Sequence, residues 1–261
     1  MQRELEVRDL TPTFGVEVSG LEPQVPLPPD VVDRLRQLLD ERSVLVFRDI
    51  DVGQEFQRYL MWTLIGEEPP ALAPGTRPSL VSNKEPGGGA PYGRLLFHSD
   101  AMWAERPEPI LSLYGIEVEQ PSVPTVFVSM VDAWRTLPAP LRERVEGLQA
   151  RHGHEHYYPN RGGDDDVLDA RFDEPHSTVK PVGFVHPRTG RRTLYVSQQM
   201  TMGIVGLDDE ENEELLAQLF AHLYDDVATY RHEWRTGDLV VWDNIALQHA
   251  RGTVDLEGPA R

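Results

Sequence analysis

The chain has 261 residues, and its 43 acidic and 25 basic side chains give a formal net charge of −18. This charge repels phosphate backbones and anionic membrane surfaces, so we expect neither nucleic acid nor a membrane as a partner. The sequence has no cysteine, which excludes disulfides, thiolate metal sites and cysteine nucleophiles. The first residues lack an apolar signal core and no long apolar run follows, so the expected location is cytoplasmic.

The first half of the chain alternates helical and extended patterns. Apolar residues at helical spacing predict a helix over 30–42, with Asp30 as its N-cap. Residues 44–47 are all apolar and predict a buried strand, and 54–64 predict a second, outer helix. With 22 Pro and 21 Gly and many short apolar runs, the composition favours a β-rich fold with flanking helices in a single domain, residues 1–261.

The second half continues with strands over 110–118 and 125–131 and a helix over 132–148, bent near Pro138 and Pro140. An acidic start and apolar spacing predict a helix over 209–228. The turn pair Gly237-Asp238 opens a buried strand over 239–242. Two polar segments, 84–94 and 159–178, are long for loops within a domain, and we interpret both as lids over a pocket.

The most informative motif is His98-Ser-Asp100, with a third candidate ligand at His249. In a strand, residues i and i+2 point to the same face, so His98 and Asp100 could bind one metal ion together. Two imidazoles and one carboxylate, with other positions open, are the ligand set of oxygen-activating non-haem Fe(II). A second histidine-rich stretch, His152, His154 and His156, lacks a carboxylate at matching spacing and is interpreted as part of a packed strand edge.

The motif does not stand alone, because several blocks occur with it in a characteristic order. By this order the chain resembles the TauD/TfdA family of Fe(II)- and 2-oxoglutarate-dependent dioxygenases along nearly its whole length. Beside the metal pair, the blocks are Phe14-Gly-Val-Glu-Val-Ser-Gly-Leu21, Ser43-Val-Leu-Val-Phe-Arg48, Pro124-Thr125, His186-Pro-Arg-Thr-Gly-Arg-Arg-Thr-Leu-Tyr-Val196 and Trp242-Asp-Asn leading to His249.

The resemblance implies a double-stranded β-helix, or jelly roll, with Fe(II) as cofactor and 2-oxoglutarate and O2 as cosubstrates. It identifies His98, Asp100 and His249 as the metal ligands. It also implies that Thr125 and Arg261 bind the distal carboxylate of 2-oxoglutarate. Relatives typically continue beyond the position of Arg261 through another strand that carries a second arginine. Within this chain, Arg251 is the alternative arginine for the 2-oxoglutarate carboxylate.

The substrate contacts are predicted from the same resemblance. In relatives, residues just before and after the metal pair face the substrate. This comparison nominates Arg94, Ala101, Met102 and Trp103, and Asn83 is a similar candidate. Arginine at position 94 could hold a carboxylate or sulfonate of the substrate.

The predicted activity is oxidation, foremost hydroxylation, of an unactivated C–H bond in a small anionic or amino-acid-like molecule, with release of succinate and CO2. Desaturation or cyclisation in natural-product biosynthesis stays open, because these reactions share the ligands. A zinc hydrolase has the right ligand types but leaves Thr125 and Arg261 without a task. A non-catalytic metal-binding barrel lacks the fourth protein ligand that structural zinc usually has. A homo-oligomer is compatible with the sequence.

Overall fold

The computed structural model describes residues 4–67, 79–153, 176–225 and 229–260. Within them, a five-stranded sheet lies at the N-terminal side of the fold. Its strands are β1 (Glu6–Asp9), β2 (Val16–Ser19), β3 (Val44–Phe47), β13 (Leu239–Asp243) and β5 (Ile110–Tyr114), in that spatial order. Two helices, α1 (Pro29–Arg42) and α2 (Gln54–Ile65), follow β2 and β3 in the chain.

A four-stranded antiparallel sheet carries the candidate site. Its order is β12 (Thr229–His232), β6 (Thr125–Ser129), β14 (Leu247–Val254) and β4 (Gly93–His98). Smaller sheets complete the β structure with β7 (Gln149–Gly153), β8 (Ser177–Pro181), β9 (Gly183–Val185), β10 (Arg192–Leu194) and β11 (Thr201–Ile204). The remaining helices are α3 (Met130–Thr136), α4 (Ala139–Val145) and α5 (Asp209–Leu223).

The alternation of side chains along β3 and β13 explains why both strands are apolar throughout. Leu45 and Phe47 of β3 pack on the side of α1 and α2, together with Leu239 and Val241 of β13. Their neighbours in the chain face the four-stranded sheet and form a second core, which contains Val44, Val46, Phe127, Tyr230, Val240, Trp242 and Leu247. The two central strands of the five-stranded sheet are therefore buried on both faces, whereas the edge strand β1 is exposed. This layered β architecture agrees with the jelly-roll prediction.

A third core lies between the smaller sheets and the helices of the C-terminal half. It joins α3 and α5 through Trp134, Leu215 and Leu219, with Tyr195 and Met102 packed into the same cluster. Asp208 is the N-cap of α5, and its carboxylate accepts a hydrogen bond from the Glu211 N–H. This core supports the loop that follows the metal pair, because Met102 belongs to that loop.

Several local predictions are wrong in detail. The strand expected over 125–131 ends at Ser129, and the helix expected over 209–228 ends at Leu223. Asp30 is not the N-cap of α1, because the helix begins at Pro29, whose fixed φ suits a first helical position. The helix expected over 132–148 is two helices, α3 and α4, separated at Leu137–Pro138. The strand expected over 110–118 ends at Tyr114. Within the described ranges no helix is both long and apolar enough to cross a membrane.

Candidate metal centre

Two of the three predicted ligands face each other across paired strands. His249 of β14 lies opposite His98 of β4 in the antiparallel register, and the ring centroids are 4.2 Å apart. β14 is an inner strand between β6 and β4, so the His249 backbone is supported on both sides. Phe127 and Trp242 contact the His249 ring at centroid distances of 6.1 and 5.1 Å. The pair therefore sits against the apolar core between the two large sheets.

Asp100 completes the group, but it does so from a turn. The prediction that His98 and Asp100 share one extended strand is wrong, because β4 ends at His98 and Ala101 has a left-handed φ of 53°. The turn still brings Asp100 Oδ1 to 3.1 Å from His98 Nε2 and 3.8 Å from His249 Nε2. One ligand atom from each residue lies within 4.8 Å of the other two.

The protonation states suit a metal centre. His98 Nδ1 lies 2.7 Å from the Leu96 carbonyl oxygen, to which it donates, so Nε2 is the ring nitrogen that faces Asp100. Burial, together with the charge of His98, lowers the pKa of His249 to about 3 against the opposing effect of Asp100. The His249 imidazole is thus neutral at physiological pH, as a metal ligand must be.

The carboxylate of Asp100 is ionised in the same conditions. Burial by itself raises its pKa, but the hydrogen bond from His98 and the charges of His249 and His98 outweigh burial and bring the pKa well below the usual value. Two imidazoles and one carboxylate on one side of a site fit Fe(II) in an oxygenase. In the described part of the chain no other three such side chains come this close together.

The competing histidine stretch does not form a second site within the described residues. His152 is fully buried in β7, where its ring packs edge-on against Tyr195 at a centroid distance of 5.4 Å. Its Nδ1 lies 3.2 Å from Thr201 Oγ1. His154 and His156 lie outside the described residues.

Thr125 is the first residue of β6, which pairs with β14, the strand that carries His249. It lies opposite Arg251 of β14, two residues beyond His249. The Thr125 side chain is buried, and its Oγ1 accepts a hydrogen bond of 2.9 Å from Trp234 Nε1. An indole N–H can only donate, so the hydroxyl hydrogen of Thr125 is left to donate elsewhere.

Arg251, the alternative arginine for 2-oxoglutarate, has a different role in the structure. Its guanidinium donates to the carbonyl oxygens of Ala90, Tyr92 and Gly93 at 2.7 to 3.0 Å. These three residues belong to the polar segment 84–94, so Arg251 fastens that segment to β14. Arg261, the preferred candidate, lies outside the described residues.

The five substrate candidates divide by environment. Arg94 and Ala101 are half-buried on either side of the metal pair. Trp103 is half-buried and stacks on His176 at a centroid distance of 5.4 Å. Met102, in contrast, is fully buried in the core, and Asn83 donates to the carbonyl oxygens of Asp255 and Pro259. The structure therefore gives Met102 and Asn83 packing and tethering roles.

Two residues near the site have roles that the sequence reading missed. Asn244, which follows β13, hydrogen-bonds the backbone of Asp100 on both sides. Lys180 of β8 is buried and donates to the carbonyl oxygens of Met102 and Ala104, which holds the loop after Asp100. Asn244 belongs to the Trp242-Asp-Asn block, so its place in a block of the family could have indicated a role at the site. Lys180 stands in a polar stretch that gives no sign of burial.

A β-sandwich with a two-histidine, one-carboxylate centre defines a mononuclear non-haem metal enzyme of the oxygenase type. The profile of the family described as "Taurine catabolism dioxygenase TauD, TfdA family" matches residues 6–261. The chain belongs to the TauD/TfdA family, and it is an oxidoreductase that depends on Fe(II), 2-oxoglutarate and O2.

Relatives of named activity cover nearly the whole chain. Pentalenolactone F synthase of Streptomyces avermitilis is 30% identical over 93% of this chain and 87% of its own. The alpha-ketoglutarate-dependent 2,4-dichlorophenoxyacetate dioxygenase of Cupriavidus pinatubonensis is 28% identical over 95% of this chain and 92% of its own. The crystal structure of AAD-2 in complex with Mn(II) and N-oxalylglycine superposes with a TM-score of 0.78 at 26% identity, covering 99% of this chain and 94% of that one.

Proposed function

We propose that the protein hydroxylates an unactivated C–H bond of a small, anionic or amino-acid-like molecule, with 2-oxoglutarate converted to succinate and CO2. The observation that carries the proposal is the convergence of His98, Asp100 and His249 within 4.8 Å, with the His249 imidazole neutral and the carboxylate ionised. These three residues would hold Fe(II). When bound, the iron supplies the oxygen chemistry that no side chain of the protein can perform.

The remaining residues bind and orient the two organic molecules. We assign the distal carboxylate of 2-oxoglutarate to Thr125 and Arg261. Thr125 supports this assignment because Trp234 donates to its oxygen, which leaves the hydroxyl hydrogen for an anionic acceptor. An arginine adds a charge-assisted, two-pronged contact to the same carboxylate.

The proposed substrate site lies on the open side of Asp100. Arg94, Ala101 and Trp103 are the candidates for contact with it, since each keeps part of its side chain exposed near the metal pair. An anionic substrate agrees with the phenoxyacetate acted on by one relative. The net charge of −18 repels small anions at long range, so a local cation such as Arg94 is needed to hold one.

We further propose that the chain acts as one domain with a covered pocket. The segment 84–94 would form one wall, held by Arg251 and by a hydrogen bond from Lys84 Nζ to the Leu256 carbonyl oxygen. The other expected lid, 159–178, lies outside the described residues except for its last three positions. Water exclusion by such walls strengthens polar contacts to the bound substrate.

The proposal is tested by a panel of carboxylates, sulfonates, sulfate esters and amino-acid derivatives, offered to the Fe(II) protein with 2-oxoglutarate in air. We expect one chemical class to raise succinate formation well above the rate without substrate, and mass spectrometry of its product to show one added oxygen. A product that has lost two hydrogens instead identifies desaturation or ring closure. Arg94→Ala should weaken an anionic substrate selectively, whereas Arg58→Ala on the outer helix α2 serves as the control for loss of a positive charge.

A further inference from the structure

Asp100 is the one metal ligand without a sheet neighbour. His98 is the last residue of β4, and His249 is paired on both sides within β14. The turn that follows His98 takes the N–H and C=O of Asp100 out of the ladder. A ligand on an unsupported turn would shift with its backbone, and the distances of Asp100 Oδ1 to both histidines would shift with it.

The side-chain amide of Asn244 takes the place of the missing strand. Asn244 Oδ1 accepts from the Asp100 N–H at 2.9 Å, and Asn244 Nδ2 donates to the Asp100 carbonyl oxygen at 2.9 Å. Nδ2 also donates to the Glu108 carbonyl oxygen at 2.8 Å, which closes the far end of the loop. A carboxamide has an oxygen that accepts hydrogen bonds and an NH2 group that donates two. The three contacts of the Asn244 side chain match this pattern, so the partners define which terminal atom is oxygen and which is nitrogen.

The backbone of Asn244 is also fixed by hydrogen bonds. It is completely buried, its N–H donates to the Pro109 carbonyl oxygen at 3.3 Å, and its own carbonyl oxygen accepts from Ser99 Oγ. The preceding residue, Asp243, accepts from the N–H groups of Ile245 and Ala246 at 3.0 Å each. The turn between β13 and β14 is thus a fixed base.

That turn also leads directly to His249. The Asp243 carboxylate accepts a hydrogen bond from His186 Nε2 at 2.9 Å and another from the Arg188 guanidinium. These contacts tie the turn to the segment between β9 and β10. One rigid turn therefore sets the position of His249 through β14 and the position of Asp100 through Asn244.

We propose that Asn244 is a positioning residue of the metal centre, which sets the orientation of Asp100 relative to His98 and His249. The inference rests on the metal centre assigned under the proposed function. Partners of metal ligands typically change metal affinity by about 10–100-fold when they are mutated.

The test measures Mn(II) binding to the apoprotein by calorimetry, without reference to turnover. Asn244→Ala removes all three side-chain hydrogen bonds, and Asn244→Asp keeps the acceptor for the Asp100 N–H but places an oxygen against two carbonyl oxygens. We expect both variants to bind Mn(II) roughly 10–100-fold more weakly than the wild type. The control is Asn212→Ala, which deletes a side-chain hydrogen bond of 2.8 Å to the Ile204 N–H and leaves Mn(II) affinity unchanged.

Thermal unfolding of each apoprotein separates positioning from general stability. A purely structural role predicts that the Asn244 and Asn212 variants lose stability while both keep the wild-type Mn(II) dissociation constant, and this result overturns the proposal. If Asn244→Ala does not fold, Asn244→Ser is judged by the same criterion. Wild-type apoprotein that takes up no Mn(II) overturns the metal centre as well, whereas wild-type binding with unaffected Asn244 variants overturns only the role of Asn244.

Discussion

His98 and His249 lie directly opposite each other on paired strands, with ring centroids 4.2 Å apart and ring planes inclined by 45°. The antiparallel register fixes this relationship, because opposed residues project to the same face of the sheet. Two residues that are 151 positions apart in number thus depend on one backbone pairing. Asp100 then needs only a short turn to complete the candidate ligand set.

The first prediction concerns Asp100→Ala. The side chain of Asp100 is 45% exposed, so its loss should change the free energy of unfolding of the apoprotein by about 1 kcal/mol or less. Mn(II) at about 100 times its dissociation constant should stabilise the wild type by about 2.7 kcal/mol, and this gain should disappear in the variant. Urea unfolding with and without Mn(II) measures both quantities. An undiminished gain in the variant would place the metal elsewhere.

The second prediction concerns Thr125→Val, which keeps the shape of the side chain and removes the hydroxyl. We expect the KM for 2-oxoglutarate to rise by the equivalent of about 1.5–3 kcal/mol, since a charged carboxylate loses a donor. Trp234→Phe is the informative companion, because it removes the N–H that donates to Thr125. Its effect on KM should be smaller than that of Thr125→Val. Equal KM values for Thr125→Val and the wild type would remove Thr125 from the site.

The third prediction distinguishes two arginines. Arg251→Ala leaves the carbonyl oxygens of Ala90, Tyr92 and Gly93 without their donor, the last of them buried, and it should lower the free energy of unfolding by about 2–4 kcal/mol. Arg261→Ala should instead raise the KM for 2-oxoglutarate with little loss of stability. Steady-state kinetics and denaturant unfolding of both variants give the comparison. The reverse pattern would transfer the cosubstrate role to Arg251.

The fourth prediction concerns stability in acid. Burial, with a contribution from the charge of Lys180, lowers the pKa of His152 from 6.5 to about 3. Between pH 6.5 and about 3 the unfolded chain therefore binds a proton at His152 that the folded chain does not bind. Stability is lost as the pH falls through this window. His152→Gln should reduce the slope of the free energy of unfolding against pH by about 1 kcal/mol per pH unit below pH 6.5. Parallel curves for variant and wild type would show that His152 is not the group responsible.

Elements with a local pattern could be predicted closely from the sequence. The all-apolar run Val44–Phe47 is β3, and α2 ends only one residue beyond the predicted helix. The grouping of His98, Asp100 and His249 could be predicted as well, from the order of the blocks. The geometry of Asp100 could not, because the end of β4 at His98 depends on its pairing with β14 rather than on residues nearby.

The contacts that support the site were also beyond local reasoning. Asn244 and Asp100 meet only after β13 and β4 have joined different sheets. Lys180 is buried by partners more than seventy positions away, and a lysine in a polar stretch normally predicts a solvated side chain. Such contacts follow from the tertiary arrangement, which composition and periodicity do not encode.

The most direct test of the iron and 2-oxoglutarate site is an anaerobic titration of the Fe(II) protein with 2-oxoglutarate, followed by visible absorption. We predict a saturable charge-transfer band in the wild type and its loss in Asp100→Ala, with the apoprotein fold of the variant verified by circular dichroism. A folded wild-type protein that binds Fe(II) but develops no band with 2-oxoglutarate would contradict the assignment of this centre.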